Sequence, residues 1–201
     1  MTSLHPTKEA LIATTAALIE THAINEITSE QVLEISGVSR GSLYHHFEDF
    51  PELLEAAQVR RFASYVDSSI KILWSVLATS KTRDQMVEKI REVTMLTQSP
   101  TMAKSRLDRV NAIAKISHNP RMAAALGAEQ ERLTNSIADL YLEVCHRGWG
   151  NPALDPRAIS VMIQAYTLGR IVDDFTPEHI GQEKWESLIS TILETVFFPA
   201  R

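Results

Sequence analysis

The chain has 201 residues and a formal net charge of −5, from 20 basic and 25 acidic side chains. A chain of this length buries a hydrophobic core unaided, and its single cysteine, Cys145, excludes a disulfide framework and a multi-cysteine zinc site. Seven glycines and eight prolines are fewer than average, which argues against the many tight turns of an all-β domain. No apolar run could span a membrane and residues 1–6 lack a signal-peptide pattern, so we expect a cytoplasmic protein with no membrane partner.

Apolar side chains recur along the chain at the spacing of amphipathic helices, and no segment shows the alternation of a strand. Thr28, paired with Gln31 in a capping box, Ser39 and Asp49 have the residue types and positions of helix N-caps. The pattern therefore predicts an all-α protein of about nine helices. We place them at residues 7–22, 29–36, 40–46, 50–79, 82–97, 101–117, 120–147, 155–175 and 182–198.

The second and third predicted helices, with Gly37 in the turn between them, have the lengths of a helix-turn-helix. Leu43 and Phe47 lie four positions apart and should be buried on one face of the third helix. Together with the first predicted helix, these two helices would form a compact three-helix head, whose other expected core positions are Val32, Ile35 and Val38.

The opposite face of the third helix carries small, hydroxyl and imidazole side chains, with Arg40 at its start. Such side chains donate hydrogen bonds to phosphate oxygens and base edges, and we expect base contacts from Arg40, Ser42 and His45. Adjacent histidines point about 100° apart on a helix and are too few for a metal site, so we expect no metal. We also expect no cofactor. The full set of expected DNA-binding residues is Thr28, Ser29, Ser39, Arg40, Gly41, Ser42, Tyr44, His45 and His46.

Residues 37–47 read GVSRGSLYHHF and are followed by a capped long helix. This stretch resembles the TetR family of bacterial transcription regulators, and the resemblance in motif extends over about residues 8–57. It implies a three-helix DNA-binding head over residues 1–49 and a larger helical ligand-binding and dimerisation domain over residues 50–201, joined through the helix at 50–79. It also implies a homodimer that binds a double-stranded DNA operator, most often as a repressor. A small organic effector would release this dimer from the operator.

Two features of the head depart from the family pattern. Phe50 stands where family members usually carry a lysine that holds a phosphate. Residues 1–50 contain two basic and seven acidic side chains, so the whole net charge of the chain lies in the head, whereas a nucleic-acid-binding surface is ordinarily basic. One alternative is therefore a family relative with weakened DNA binding that acts as a ligand- or partner-binding protein.

The rest of the chain carries the candidate effector and dimer residues. Those expected to line an effector pocket are Phe62, Trp74, Arg106, Tyr141 and Tyr166. Apolar side chains at helical spacing in the last two predicted helices favour a four-helix dimer interface. Its expected residues are Ile159, Met162, Ile163, Trp185, Leu188, Ile189, Ile192 and Val196. The sequence has no evident nucleophile–base pair or glycine-rich phosphate loop, so we expect no enzyme, and a small helical enzyme is the less favoured alternative.

Overall fold

The computed structural model describes residues 5–200, and these residues form helices and turns with no strand among them. The predicted all-α class is confirmed. The helices are α1 Pro6–Thr21, α2 Ser29–Ser36, α3 Arg40–His46, α4 Phe50–Thr79, α5 Arg83–Thr97, α6 Ala103–Ala114, α7 Pro120–His146, α8 Pro156–Gly169, the four-residue α9 Ile171–Asp174, and α10 Gln182–Ile192. Within residues 5–200 no helix is long and apolar enough to cross a bilayer. Most of the segment judged above for a signal peptide, residues 1–4, lies outside the described part.

Helices α2, α3 and α4 have the predicted bounds, whereas the last two predicted helices are each interrupted. The first of these breaks at Arg170, directly after Gly169, whose low helix propensity suits the end of α8. The second continues past Ile192 as a π-helical turn, Leu193–Phe197. Hydrophobic periodicity predicted roughly where these two helical segments begin and end. It does not show whether a segment is one continuous α-helix or contains a break or a π-helical turn.

A capping box and a glycine determine where helix α2 begins and ends. The Oγ1 of Thr28 accepts from the backbone N–H of Gln31 at 3.3 Å, and the Oε1 of Gln31 accepts from the N–H of Thr28 at 2.9 Å. This reciprocal pair is the predicted capping box. Gly37 then ends α2 in the left-handed region, with φ of 66°, which a glycine adopts without steric cost.

The described chain packs into two compact units. The first comprises the residues up to Tyr65 together with Lys115–Gly127, and the second comprises Val66–Ala114 and the residues from Ala128 onward. Each unit has its own apolar core. The core of the first unit contains Leu11, Ile12, Ile19, Ile27, Val32, Leu43, Phe47, Leu53 and Ala57.

Ile35 is not part of that core, and its predicted burial was wrong. Val32 is fully buried and Leu33 packs against the core, so the buried face of α2 is centred between them. At 3.6 residues per turn, Ile35 lies roughly 110° from that centre. Its side chain is 62% exposed, which makes it an apolar residue on the outer surface of the head.

Candidate nucleic-acid interface

Helix α3 is anchored by its apolar face and by a cap at its start. Leu43 and Phe47 are both buried in the core of the first unit, as their spacing predicted. The Oγ of Ser39 accepts from the backbone N–H of Ser42 at 3.2 Å, and the two hydroxyls lie 2.9 Å apart. Since one face and the first turn are held in this way, α3 presents a defined opposite face to solvent.

That opposite face brings together most of the expected DNA-binding residues. Arg40 and His45 are exposed, and the Tyr44 side chain is 47% exposed. A Cβ added at Gly41 would have the Oγ of Ser39 as its nearest neighbour, at 4.0 Å, so the chain's own packing does not require a glycine there. An exposed glycine between polar side chains leaves room for close approach of another surface.

The remaining hydroxyls of the expected set already have partners within the head. Thr28 caps α2, and the Oγ of Ser29 donates to the Oε2 of Glu30 at 3.2 Å. Ser42 is half-buried, and its hydroxyl forms a hydrogen bond with the hydroxyl of Ser39. Thr28 and Ser29 donate to DNA only by exchanging an internal hydrogen bond, whereas the Ser39–Ser42 contact uses one of its two hydroxyl protons and leaves the other available. Arg40, Tyr44 and His45 need no such exchange.

The head has little excess positive charge on this face. The ring of His46 lies 5.0 Å from those of His5 and His45, and burial, followed by the nearby His5, His45 and Lys8 charges, lowers the pKa of His46. The imidazole of His46 is therefore neutral at pH 7. The ammonium of Lys8 stands 5.0 Å from the centre of the Phe47 ring, in a cation–π contact.

Glu30 adds negative charge near Arg40, at the start of α3. A backbone hydrogen bond, the hydrogen bond from Ser29 and the charge of Arg40 together lower the pKa of its carboxyl, in that order of size. The carboxylate of Glu30 is thus ionised and attracts the Arg40 guanidinium. Despite the three neighbouring imidazoles, the described residues include no group of three or more His, Cys, Asp or Glu side chains placed to hold a metal ion.

Phe50 serves the core of the head. It is partly buried and packs against the apolar cluster of the first unit, one residue after the cap of α4. The Oδ1 of Asp49 accepts from the N–H of Glu52 at 2.8 Å, and a Glu52 carboxylate oxygen accepts from the N–H of Glu48 at 2.6 Å. The start of α4 is therefore capped by two carboxylates and carries no cation.

Among the expected effector residues, Arg106 and Tyr141 make structural contacts. The Arg106 guanidinium, 2% exposed, forms two 2.7 Å hydrogen bonds with the Asp174 carboxylate and also donates to the carbonyls of Thr97 and Ser99. The phenol of Tyr141 is buried, and its oxygen lies 3.1 Å from the backbone carbonyl oxygens of both Asn151 and Phe197. Burial is the main cause that raises its pKa to about 12. Both polar groups are used within the second unit.

The other three effector candidates are distributed over both units. Trp74 is exposed and its indole N–H donates to the Oγ of Ser136 at 2.9 Å, and Tyr166 is partly buried and hydrogen-bonded to Thr94. Burial raises the pKa of Tyr166, so its phenol is neutral at pH 7. Phe62 is buried and belongs to the first unit. The effector prediction for the second unit therefore rests on Trp74 and Tyr166.

The expected dimer residues fall into three groups by exposure. Two are buried in the core of the single chain: Ile159 and Ile189. Three are partly buried against that core: Ile163, Trp185 and Ile192. Three are exposed on the surface: Met162, Leu188 and Val196. An interface between two copies would therefore rest on the exposed group.

Two buried hydrogen-bond donors of the second unit, on Gln98 and Arg170, were not among the expected effector residues. Gln98 accepts a hydrogen bond from the indole of Trp185, while its own Nε2 is buried with no hydrogen-bond partner among the described residues. Arg170 lies over the Trp185 ring, 5.2 Å from its centre, and pairs with Asp173, yet its Nε is also buried and unpartnered. A glutamine ending an amphipathic helix gives no signal of burial, because only tertiary packing places it inside.

Comparison with known protein families finds a match over most of the head. The family model of the bacterial regulatory proteins of the tetR family matches residues 11–57, which confirms the resemblance seen in the motif. No curated protein sequence matches the chain.

Solved structures share the fold over nearly the whole chain. A TetR-family transcriptional regulator from Mesorhizobium loti MAFF303099 is 16% identical, with a TM-score of 0.69 over 96% of this chain and 97% of that one. A TetR-family regulator from Rhodococcus sp. is 21% identical, with a TM-score of 0.63 over 94% and 97%. A transcriptional regulator from Saccharomonospora viridis, solved in complex with choline, is 13% identical, with a TM-score of 0.69 over 96% and 98%. At these identities the likeness establishes the fold.

Proposed function

Because residues 11–57 belong to the tetR family of bacterial regulatory proteins, we propose that this chain is a ligand-responsive transcriptional repressor that binds operator DNA as a homodimer. The observation that carries the proposal is the exposed face of α3. Arg40, Tyr44 and His45 stand together there on a helix whose other face is locked into the head. Arginine pairs with guanine in the major groove, and the hydroxyl and imidazole donate to phosphates or base edges.

The mechanism that follows is differential binding by a dimer. Two heads related by a two-fold axis read half-sites about 34 Å apart, one helical turn of DNA. An effector that binds more tightly to a form with a different head spacing shifts the population away from the DNA-bound form. The exposed apolar residues Met162, Leu188 and Val196 are the proposed contacts between the two copies.

Buried donors in the second unit support control by a small organic effector there. Buried polar groups are nearly always hydrogen-bonded, so the unpartnered Nε2 of Gln98 and Nε of Arg170 call for an acceptor such as a carbonyl oxygen or a water molecule. Trp185 lies against both residues and offers an aromatic face. A structural relative binds choline, which shows that this fold accommodates a small organic molecule in another protein.

Selection from random duplex DNA tests the proposal. We expect the purified chain to enrich one inverted repeat, and Arg40→Ala to weaken binding to that repeat by about 1–3 kcal/mol while leaving binding to unrelated duplexes nearly unchanged, because a base contact acts only at its own sequence. Lys71→Ala is the matched control, since Lys71 is an exposed cation outside the first unit. Failure to enrich any sequence would reject the repressor.

A second candidate function is favoured by the charge of the head. Residues 1–50 carry an excess of five acidic side chains, and the position of the usual phosphate-binding lysine is occupied by Phe50, which packs in the core. A relative with this head could serve as a ligand- or partner-binding protein with weak affinity for DNA. The same selection separates the two candidates, because only the regulator enriches a defined sequence.

A further inference from the structure

The first unit contains a pocket whose lining includes no residue of α3. Its volume is about 380 Å³, and it is formed by residues of α1, of the first half of α4 and of the start of α7. All of its lining residues belong to the first unit. Small-molecule sites in proteins generally occupy about 300–1,000 Å³, so this pocket lies within that range, at its lower end.

Small side chains on α4 and α7 leave this space open. Ala56, Val59 and Ala63 recur at i, i+3 and i+7 on α4 and form one wall, and Ala125 of α7 contributes another short side chain. The side chains of Ile12 and Met122, both buried, complete an apolar lining. None of the five effector candidates expected from the sequence lines this pocket.

The charged residues at the edge of the pocket are already paired. Arg121 lies 3.0 Å from a carboxylate oxygen of Glu55 and 3.6 Å from one of Glu52, and Arg60 lies 2.9 Å from Glu9. The other basic residue of the lining, Lys8, makes the cation–π contact with Phe47 described above. An anionic ligand would have to compete with these contacts, whereas a neutral ligand leaves them intact.

We propose that this pocket binds a neutral, apolar organic molecule of two or three rings, at a site separate from the effector candidates of the second unit. An apolar cavity of about 150 Å³ holds one benzene ring, so about 380 Å³ holds a compound of two or three fused or linked rings, or a chain of similar size. The apolar lining supplies the binding energy, and an anion gains little from Arg60 and Arg121, whose charges are already balanced by carboxylates.

Occupation of the pocket has a consequence for the head that rests on the proposed function. The ligand contacts α1 through Ile12, and α1 itself packs against both α2 and α3. A molecule wedged between α1 and α4 therefore favours one placement of the helix-turn-helix over others. If the chain binds DNA, the ligand changes the DNA affinity by as much as its own affinity differs between the helix-turn-helix placement that binds DNA and the other placements.

Fluorescence titration of the full chain with N-phenyl-1-naphthylamine tests the site without DNA. We expect saturable binding, and weaker binding of 1-anilinonaphthalene-8-sulfonate, which adds a negative charge to the same ring system. Ala125→Phe and Ala63→Phe fill the pocket and should each weaken binding at least tenfold. Their matched controls are Ala124→Phe and Ser64→Phe, at exposed neighbouring positions, which should stay within twofold of the unchanged chain.

A measurement on the unchanged chain guards against variants that fold poorly. With methyl-labelled methionine, the Met122 resonance should shift on addition of N-phenyl-1-naphthylamine, and that of Met162, in the second unit, should not. Binding that shifts Met162 instead, that persists in both filled variants, or that favours the sulfonate overturns the proposal. A chain that binds the probe at Met122 but enriches no DNA sequence retains the site and rejects the repressor, so the two failures are distinguishable.

Discussion

The side chain at position 50 affects both the apolar core of the head and its charge. A lysine there would place a positive charge one residue after the Asp49 cap, whereas Phe50 contributes apolar surface to the core of the first unit. The neutral His46 adds no charge at pH 7, and ionised Glu30 attracts Arg40. We therefore expect any binding of DNA by this head to depend more on neutral hydrogen bonds than on charge.

Phe50→Lys should tighten binding to operator and unrelated DNA alike, because a phosphate contact carries no sequence information. The salt dependence of the binding constant should steepen by about 0.9 log units per log unit of salt for each phosphate gained. In the unchanged chain we expect a shallow slope, corresponding to about two to four phosphates per dimer. Titrations at several salt concentrations measure both.

The matched control is Ser64→Lys, which adds the same charge to an exposed position of α4. It lies 14 residues further along the helix, about 21 Å at 1.5 Å per residue. An unchanged slope in Phe50→Lys, or an equal increase in Ser64→Lys, would show that the start of α4 does not approach DNA.

At the scale of single elements, the end of α7 shows how a helix and the loop after it are joined. Gly148 has φ of 74°, its N–H bonds to the carbonyl of Cys145, and the N–H of Trp149 bonds to the carbonyl of Val144. This pair of bonds is a Schellman motif. Gly150 then passes so close to Cys145 that a Cβ at this position would lie 2.7 Å from the Sγ.

Two glycines of this region should respond oppositely to the same substitution. Gly150→Ala should lower the free energy of unfolding by about 1–3 kcal/mol, because the new methyl group overlaps the partly buried Cys145 thiol. Gly127→Ala adds a methyl group within α7 where nothing lies within 4 Å, so it should raise the free energy of unfolding by about 0.5–1 kcal/mol. Urea unfolding of the two variants measures the difference, and a change of the same sign in both would contradict the packing described.

At the scale of the whole molecule, apolar residues left exposed on the second unit bear on assembly. Met162 is 45% exposed and Leu188 is 50% exposed, on α8 and α10 respectively, while their neighbours Ile159 and Ile189 fill the core. Isologous pairing of such faces about a two-fold axis would bury them in both copies. The proposed homodimer is the arrangement that a regulator of an inverted repeat needs.

The double substitution Met162→Glu and Leu188→Glu should dissociate the dimer, because each copy would bury two charges at the contact. Sedimentation should show a dimer for the unchanged chain and a 22.5 kDa species for the variant at micromolar concentration. Leu107→Glu is the control, since Leu107 is equally exposed but lies on α6. A monomeric unchanged chain would contradict the prediction.

Local signals in the sequence were sufficient for the elements of the head. The Thr28–Gln31 box, the left-handed Gly37 and the Leu43–Phe47 spacing act between residues a few positions apart, so they predicted α2, α3 and the buried face of α3. Ile35 was misplaced because its burial depends on how α2 is rotated against other helices. The motif also indicated the family, since it combines special residues at fixed spacing.

The sequence by itself determined the helical class, the helix-turn-helix and the exposed polar face of α3, because periodicity, capping and glycine conformation are local properties of the chain. Only the tertiary structure decided which polar side chains bond to residues distant in the sequence. It joined Arg106 to Asp174, 68 positions away, and buried the Gln98 donor beside Trp185. It also opened a pocket between α1, α4 and α7, since a cavity arises from the imperfect fit of faces that are distant in sequence.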